Sequence, residues 1–138
     1  MSKAGETFFT SVGCMDGRSE CTVAKWGREK FGVKYADAIT EAGLVGLLSG
    51  DHFKANDTGS SELMESIKGK ILISIEKHHS QNIVVSGHED CAGNPVSEEK
   101  HKKDVIKTAE LVKMMFPAVS VVPVFVKKKN DDWIVEEL

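Results

Sequence analysis

The chain has 138 residues, 41% of them hydrophobic and 28% charged, with a net charge of −3 and a pI near 6.0. That length fits one domain, expected over residues 1–138, because a chain of this size buries about 68–70% of its unfolded surface. The mildly acidic balance argues against nucleic-acid binding, and no run nears the ~20 apolar residues of a membrane span. Three cysteines without scaffold-like spacing suit a reducing cytoplasm better than a disulfide framework.

Residues 7–13 are apolar and β-branched and predict a first strand ending at Cys14. Helical character follows over 20–30, closed by Gly32, a residue suited to a helix C-terminus. Residues 34–39 predict a second strand. Its exit over 40–46 reads as a loop passing close to the functional centre. The polar, turn-rich stretch 51–60 reads as a surface connection. From 61 to 79, apolar residues recur at Leu63, Met64, Ile67, Ile71 and Ile75, a helical period.

Residues 82–86 predict a third strand. Residues 97–115 predict a helix whose stripe is Val105, Ala109, Val112 and Phe116, stopped by Pro117. A fourth strand follows over 119–126, where Pro123 points to an edge position or a bulge. Lys127, Lys128 and Lys129 read as a solvated turn, after which 133–136 return as a short antiparallel strand. Alternating strands and helices give an α/β domain with a mostly parallel sheet and helices on both faces.

Two segments carry the chemistry. Cys14-Met15-Asp16-Gly17-Arg18 follows the first strand, and Gly87-His88-Glu89-Asp90-Cys91-Ala92-Gly93 follows the third. Ligands of open parallel sheets bind outside the carboxyl ends of the strands, so Cys14, His88 and Cys91 are expected to converge there. Two thiolates and one imidazole make a three-ligand zinc site with a fourth position free, as in catalytic zinc. Such soft donors favour zinc over magnesium or calcium, and iron–sulfur clusters usually take four cysteines. Cys21, seven positions after Cys14, reads as a packing residue rather than a fourth ligand. Asp16 and Arg18 are spaced to pair, either as a loop-closing salt bridge or as a carboxylate held off the metal and aimed at its bound water.

These residues resemble the signature of the β-class carbonic anhydrases, Cys14-x-Asp16-x-Arg18 followed far downstream by His88-x-x-Cys91. The likeness is strongest to a short, divergent branch of that family and extends to residues 37–43 and 87–95. It implies a parallel core in the order 2-1-3-4, one zinc ion per subunit on Cys14, His88 and Cys91, and Asp16 with Arg18 as catalytic dyad. It also implies a homodimer or higher homo-oligomer. The implied reaction is reversible hydration of carbon dioxide to bicarbonate by zinc-bound hydroxide that the dyad orients. Most of the family carries Asn-Ala-Gly after strand two, where this chain has Glu41-Ala42-Gly43.

Imidazole's unperturbed pKa of about 6.5 suits that residue type to relaying the released proton, which makes His52, His78, His79 and His101 candidates. His78 and His79 are expected to close a helix, favoured there by its dipole, and His101 to lie solvated in a charged stretch. Two other readings stay open: a hydrolase of carbonyl sulfide or carbon disulfide on the same scaffold, and a non-catalytic zinc-binding or thiol-sensing domain. No glycine-rich phosphate loop and no Cys-x-x-Cys redox pair is present.

Overall fold

The structure is a computed structural model that describes residues 5–49 and 58–138. Five strands form one sheet in the order β2-β1-β3-β4-β5. Strands β1 (Phe8–Gly13), β2 (Tyr35–Thr40), β3 (Asn82–His88) and β4 (Ser120–Lys129) run parallel, and β5 (Asp132–Glu137) is antiparallel to β4. The parallel core therefore has the expected order 2-1-3-4.

Side chains alternate across each strand, and the sequence fills both faces. Val12, Ile83 and Val85 point to one side, under helices α2 (Leu44–Ser49), α3 (Thr58–Glu76) and α4 (Glu98–Met115). Phe9, Val84, Val124 and Val126 point to the other side, against α1 (Gly17–Phe31) and β5. Strands buried on both faces read as continuous apolar runs, as Ile83, Val84 and Val85 do at the centre of β3. Burying Phe9 completely stabilises the α1 face by about 1.5–3 kcal/mol.

Helix α1 starts three residues before the expected position, because Asp16 caps it and its carboxylate accepts the Arg18 N–H. Gly32 ends it in the left-handed conformation, φ 63°. The exit of β2 is a loop only through Gly43. The next six residues form α2, with Leu44, Val45 and Leu48 buried.

Three other expectations fail for physical reasons. Pro123 is at neither an edge nor a bulge: it pairs with Val85 of β3, and its carbonyl accepts the Leu138 N–H at 3.0 Å. Nitrogen and carbonyl of one strand residue share a side, so the missing N–H faces away from β3 and costs that ladder nothing. Lys127, Lys128 and Lys129 are the last residues of β4, paired with Ile134, Trp133 and Asp132. The turn is Asn130-Asp131, where Asn130 takes φ 58°, a conformation asparagine tolerates. Finally, α3 ends at Glu76, before His78 and His79. His78 Nδ1 lies 2.7 Å from Asp37 Oδ2, and its ring stacks on Phe8 at 4.0 Å. His79 sits exposed at φ 58°. His52 lies outside the described residues.

Among the described residues, no helix is long and apolar enough to cross a membrane.

Candidate metal centre

Strands β1 and β3 are neighbours, so the segments leaving their carboxyl ends emerge side by side. Cys14 directly follows β1, His88 is the last residue of β3, and Cys91 follows three residues later. The side-chain donor atoms of these three lie within 4.8 Å of one another. All three residues are buried. The two sulfurs are 3.9 Å apart, near the ~3.8 Å that two 2.3 Å zinc–sulfur bonds at a tetrahedral angle require.

The imidazole is set up as a donor. Its Nδ1 lies 2.8 Å from the Glu89 carbonyl, which accepts the Nδ1 proton and leaves a lone pair on Nε2. That Nε2 is buried without a hydrogen-bond partner among the described residues. An unpaired buried polar atom is costly, and a cation held by the two sulfurs removes the cost. Burial pushes the Cys91 thiol up, and the neighbouring Cys14 adds to the effect, while the N–H groups of Asn94 and Gly93 oppose it. A divalent cation is the partner that lets both sulfurs ionise in such a place. The donor set therefore fits a metal ion.

The surrounding loops hold these donors by backbone contacts. The Gly43 N–H donates to Cys14 Sγ at 3.5 Å. Gly43, at φ 65°, lies against Gly93, where a Cβ would fall 2.2 Å from the carbonyl oxygen. Asn94, close behind Cys91, donates to Asp104 of α4 at 3.1 Å, and Lys100 pairs with the same carboxylate. Burial alone would push Asp104 up; the hydrogen bonds from Lys100 and Asn94 outweigh it and hold the group below its ordinary value.

Asp16 and Arg18 meet as a fork. Nε of Arg18 donates to Asp16 Oδ1 at 3.0 Å, and Nη2 to Oδ2 at 2.6 Å. The Arg18 hydrogen bond holds the Asp16 carboxyl down to about 2, against a smaller opposing effect of burial. The reading of these residues missed a second carboxylate on Arg18. Asp90, at φ 59°, turns its side chain and its carbonyl toward the guanidinium, at 3.1 Å from Nη1 and 3.2 Å from Nη2.

His101 is not solvated but only 3% exposed. The stripe of α4 extends back to it, its ring packs edge-on to Phe125 at 5.4 Å, and it lies 6.2 Å from the His88 ring. Burial holds it below the ordinary imidazole value, and His88 adds to the shift. Together with His88, Cys91, Asn94 and Phe125, His101 lines a cavity of about 340 Å³. Cys21 is neither a ligand nor packed inside: it is exposed on α1, outside the cluster.

A family profile described as "Putative carbonic anhydrase" matches residues 4–138. No curated protein sequence matches significantly. Among solved structures, a mutant form of the β-carbonic anhydrase CafD of Aspergillus fumigatus is similar at TM-score 0.57 and 12% identity, covering 99% of this chain and 91% of that one. Carbonic anhydrase from Streptococcus mutans is similar at TM-score 0.57 and 14% identity, covering 99% and 86%. Carbonic anhydrase from Glaciozyma antarctica is similar at 0.54 and 16%, covering 95% and 82%. At these identities the structures speak for the shared fold, and the profile speaks for the family. The chain belongs to the carbonic anhydrase family, as a divergent member with the β-class fold.

Proposed function

We propose that residues 1–138 act as one domain that binds a zinc ion through Cys14, His88 and Cys91 and hydrates carbon dioxide reversibly to bicarbonate. The observation that carries this reading is the buried Nε2 of His88, without a hydrogen-bond partner among the described residues, beside two buried sulfurs. Zinc bound there supplies a Lewis acid that makes a water nucleophilic near neutral pH.

The chain's own residues supply the rest. Two thiolates would neutralise a divalent charge, which would weaken the acid compared with an all-imidazole set, so a hydrogen-bond acceptor that favours hydroxide over water is useful. Asp16 is the candidate. Arg18 keeps its carboxylate ionised and turned to one side by two hydrogen bonds, while its oxygens keep lone pairs with which to orient an attacking hydroxyl. The same fork turns the Asp16 carboxylate toward Arg18, so that Cys14, His88 and Cys91 would be the residues to hold the ion.

The same reading includes a reducing cytoplasmic setting, supported by three unpaired cysteines, and a homodimer or higher homo-oligomer, supported by the family likeness. The test is oxygen-18 exchange between carbon dioxide and water, run beside zinc stoichiometry on wild type and Asp16→Ala. Zinc retained in both, with exchange lost only in the variant, is the expected result. A fully metallated wild type without exchange would leave the non-catalytic zinc domain as the function.

A further inference from the structure

The guanidinium of Arg18 is held in its own plane by four hydrogen bonds, two to the Asp16 carboxylate, one to the Asp90 carboxylate and one to the Asp90 carbonyl. In-plane bonds fix where a flat group lies, but they resist tilting out of the plane only weakly. The Arg18 side chain is 44% exposed, and ion pairs that open to water hold geometry poorly unless something else orders them. That further contact comes from the far end of the chain. The guanidinium carbon lies over the indole ring of Trp133, 5.0 Å from its centroid. Trp133 is in β5 and pairs with Lys128, one step from the hairpin turn. An indole face attracts a cation more strongly than any other aromatic side chain, and arginine stacks on such faces readily.

We propose that Trp133 is a positioning residue for the Asp16–Arg18 pair: its ring covers the face of the guanidinium that hydrogen bonds cannot restrain, and so fixes the direction of the Asp16 carboxylate. For its effect on catalysis, this inference rests on the reading of Asp16 given above. Its physical content does not: the seat of Arg18 exists with or without a metal. β5 is thereby tied to the Asp16–Arg18 pair.

Two measurements on Trp133→Leu, Trp133→Phe and Ile134→Ala test it. The first follows the Arg18 Nε–H resonance by nitrogen-15 NMR on the metal-free chain. In wild type the ring shields this proton. It is expected to move downfield and exchange faster with water in Trp133→Leu, to move partway in Trp133→Phe, and to stay in place in Ile134→Ala, which weakens the same hairpin without touching the ring. The second is carbon dioxide hydration by the zinc-loaded proteins. There kcat/KM is expected to fall roughly 3- to 30-fold in Trp133→Leu, to recover in large part in Trp133→Phe, and to hold in Ile134→Ala.

An Arg18 resonance unmoved in Trp133→Leu overturns the proposal. So does an equal loss of rate in Ile134→Ala, which would mean that hairpin stability alone matters. Should Trp133→Leu not fold, an unmoved resonance in Trp133→Phe overturns it instead. A zinc-loaded wild type with no hydration would remove the proposed function, while the NMR arm would still decide whether Trp133 seats Arg18.

Discussion

Gly43 and Gly93 meet backbone to backbone: a Cβ on Gly43 would fall 2.2 Å from the Gly93 carbonyl oxygen, and one on Gly93 would fall 2.6 Å from the Gly43 nitrogen. The contact joins the exit of β2 to the loop that bears Cys91, and the same Gly43 N–H reaches Cys14. Gly43→Ala therefore meets both a clash and a left-handed φ of 65°. The expected cost is about 1–3 kcal/mol, read by urea denaturation, with a lowered zinc affinity read by chelator competition. Unchanged affinity would mean that the two loops are positioned independently.

The residues of the cluster are expected to separate cleanly from Cys21. Cys91→Ser and His88→Ala should lose stoichiometric zinc, because removing a ligand from a three-donor set leaves too few soft atoms to hold the ion. Cys21→Ser should keep it, since that thiol is exposed and outside the cluster. Zinc analysis after dialysis checks all three. Full occupancy in Cys91→Ser would refute the ligand assignment.

Asp16 caps α1 and, on the proposed function, orients the nucleophile; different substitutions divide the two. Asparagine caps a helix about as well as aspartate, whereas alanine costs about 1 kcal/mol there. Asp16→Asn should therefore stay close to wild type in thermal unfolding, and Asp16→Ala should fall below it. Both should bind zinc, and both should lose about a hundredfold or more in hydration rate. A variant that is active and also lacks the carboxylate would assign the chemistry elsewhere.

Asp104 should govern acid stability. Its carboxyl is held below the ordinary value of 3.8, so the unfolded chain binds more protons than the folded one as the pH falls. Its stabilising contribution is complete above about pH 4 and disappears as the pH drops through the lower folded value. At neutral pH, Asp104→Asn is expected to cost about 1–3 kcal/mol, because Asn94 and Lys100 lose a charged acceptor. In acid the wild-type and variant stabilities should converge. Denaturant titrations at pH 7 and pH 3 check this, and a constant gap between the two proteins would contradict it.

The strands and long helices were legible because each follows one period. Ile83, Val84 and Val85 are consecutive apolar residues and α3 repeats at helical spacing, so local pattern and tertiary burial agree. The donors were legible because strand ends bring them together, whatever the loops do. Where sequence reasoning failed, long-range contacts decided the outcome. Nothing near Arg18 announces Asp90 or Trp133, since both arrive through the sheet. Helix α2 is too short to show a period and forms because Leu44, Val45 and Leu48 are buried. The burial of His101 could have been found: it stands four residues before Val105, on the stripe already identified, but its charged neighbours suggested solvent. His78 was misread because its partner Asp37 lies on a different element.

Because the donors leave two adjacent strands buried on both faces, the cluster inherits the stiffness of the sheet's centre rather than the looseness of its rim. Fraying of the ends or excursions of the outer loops should leave its grip intact. Spontaneous escape of a captured ion should then keep pace with rupture of the innermost strand pair, so its release would clock the rarest opening of the molecule.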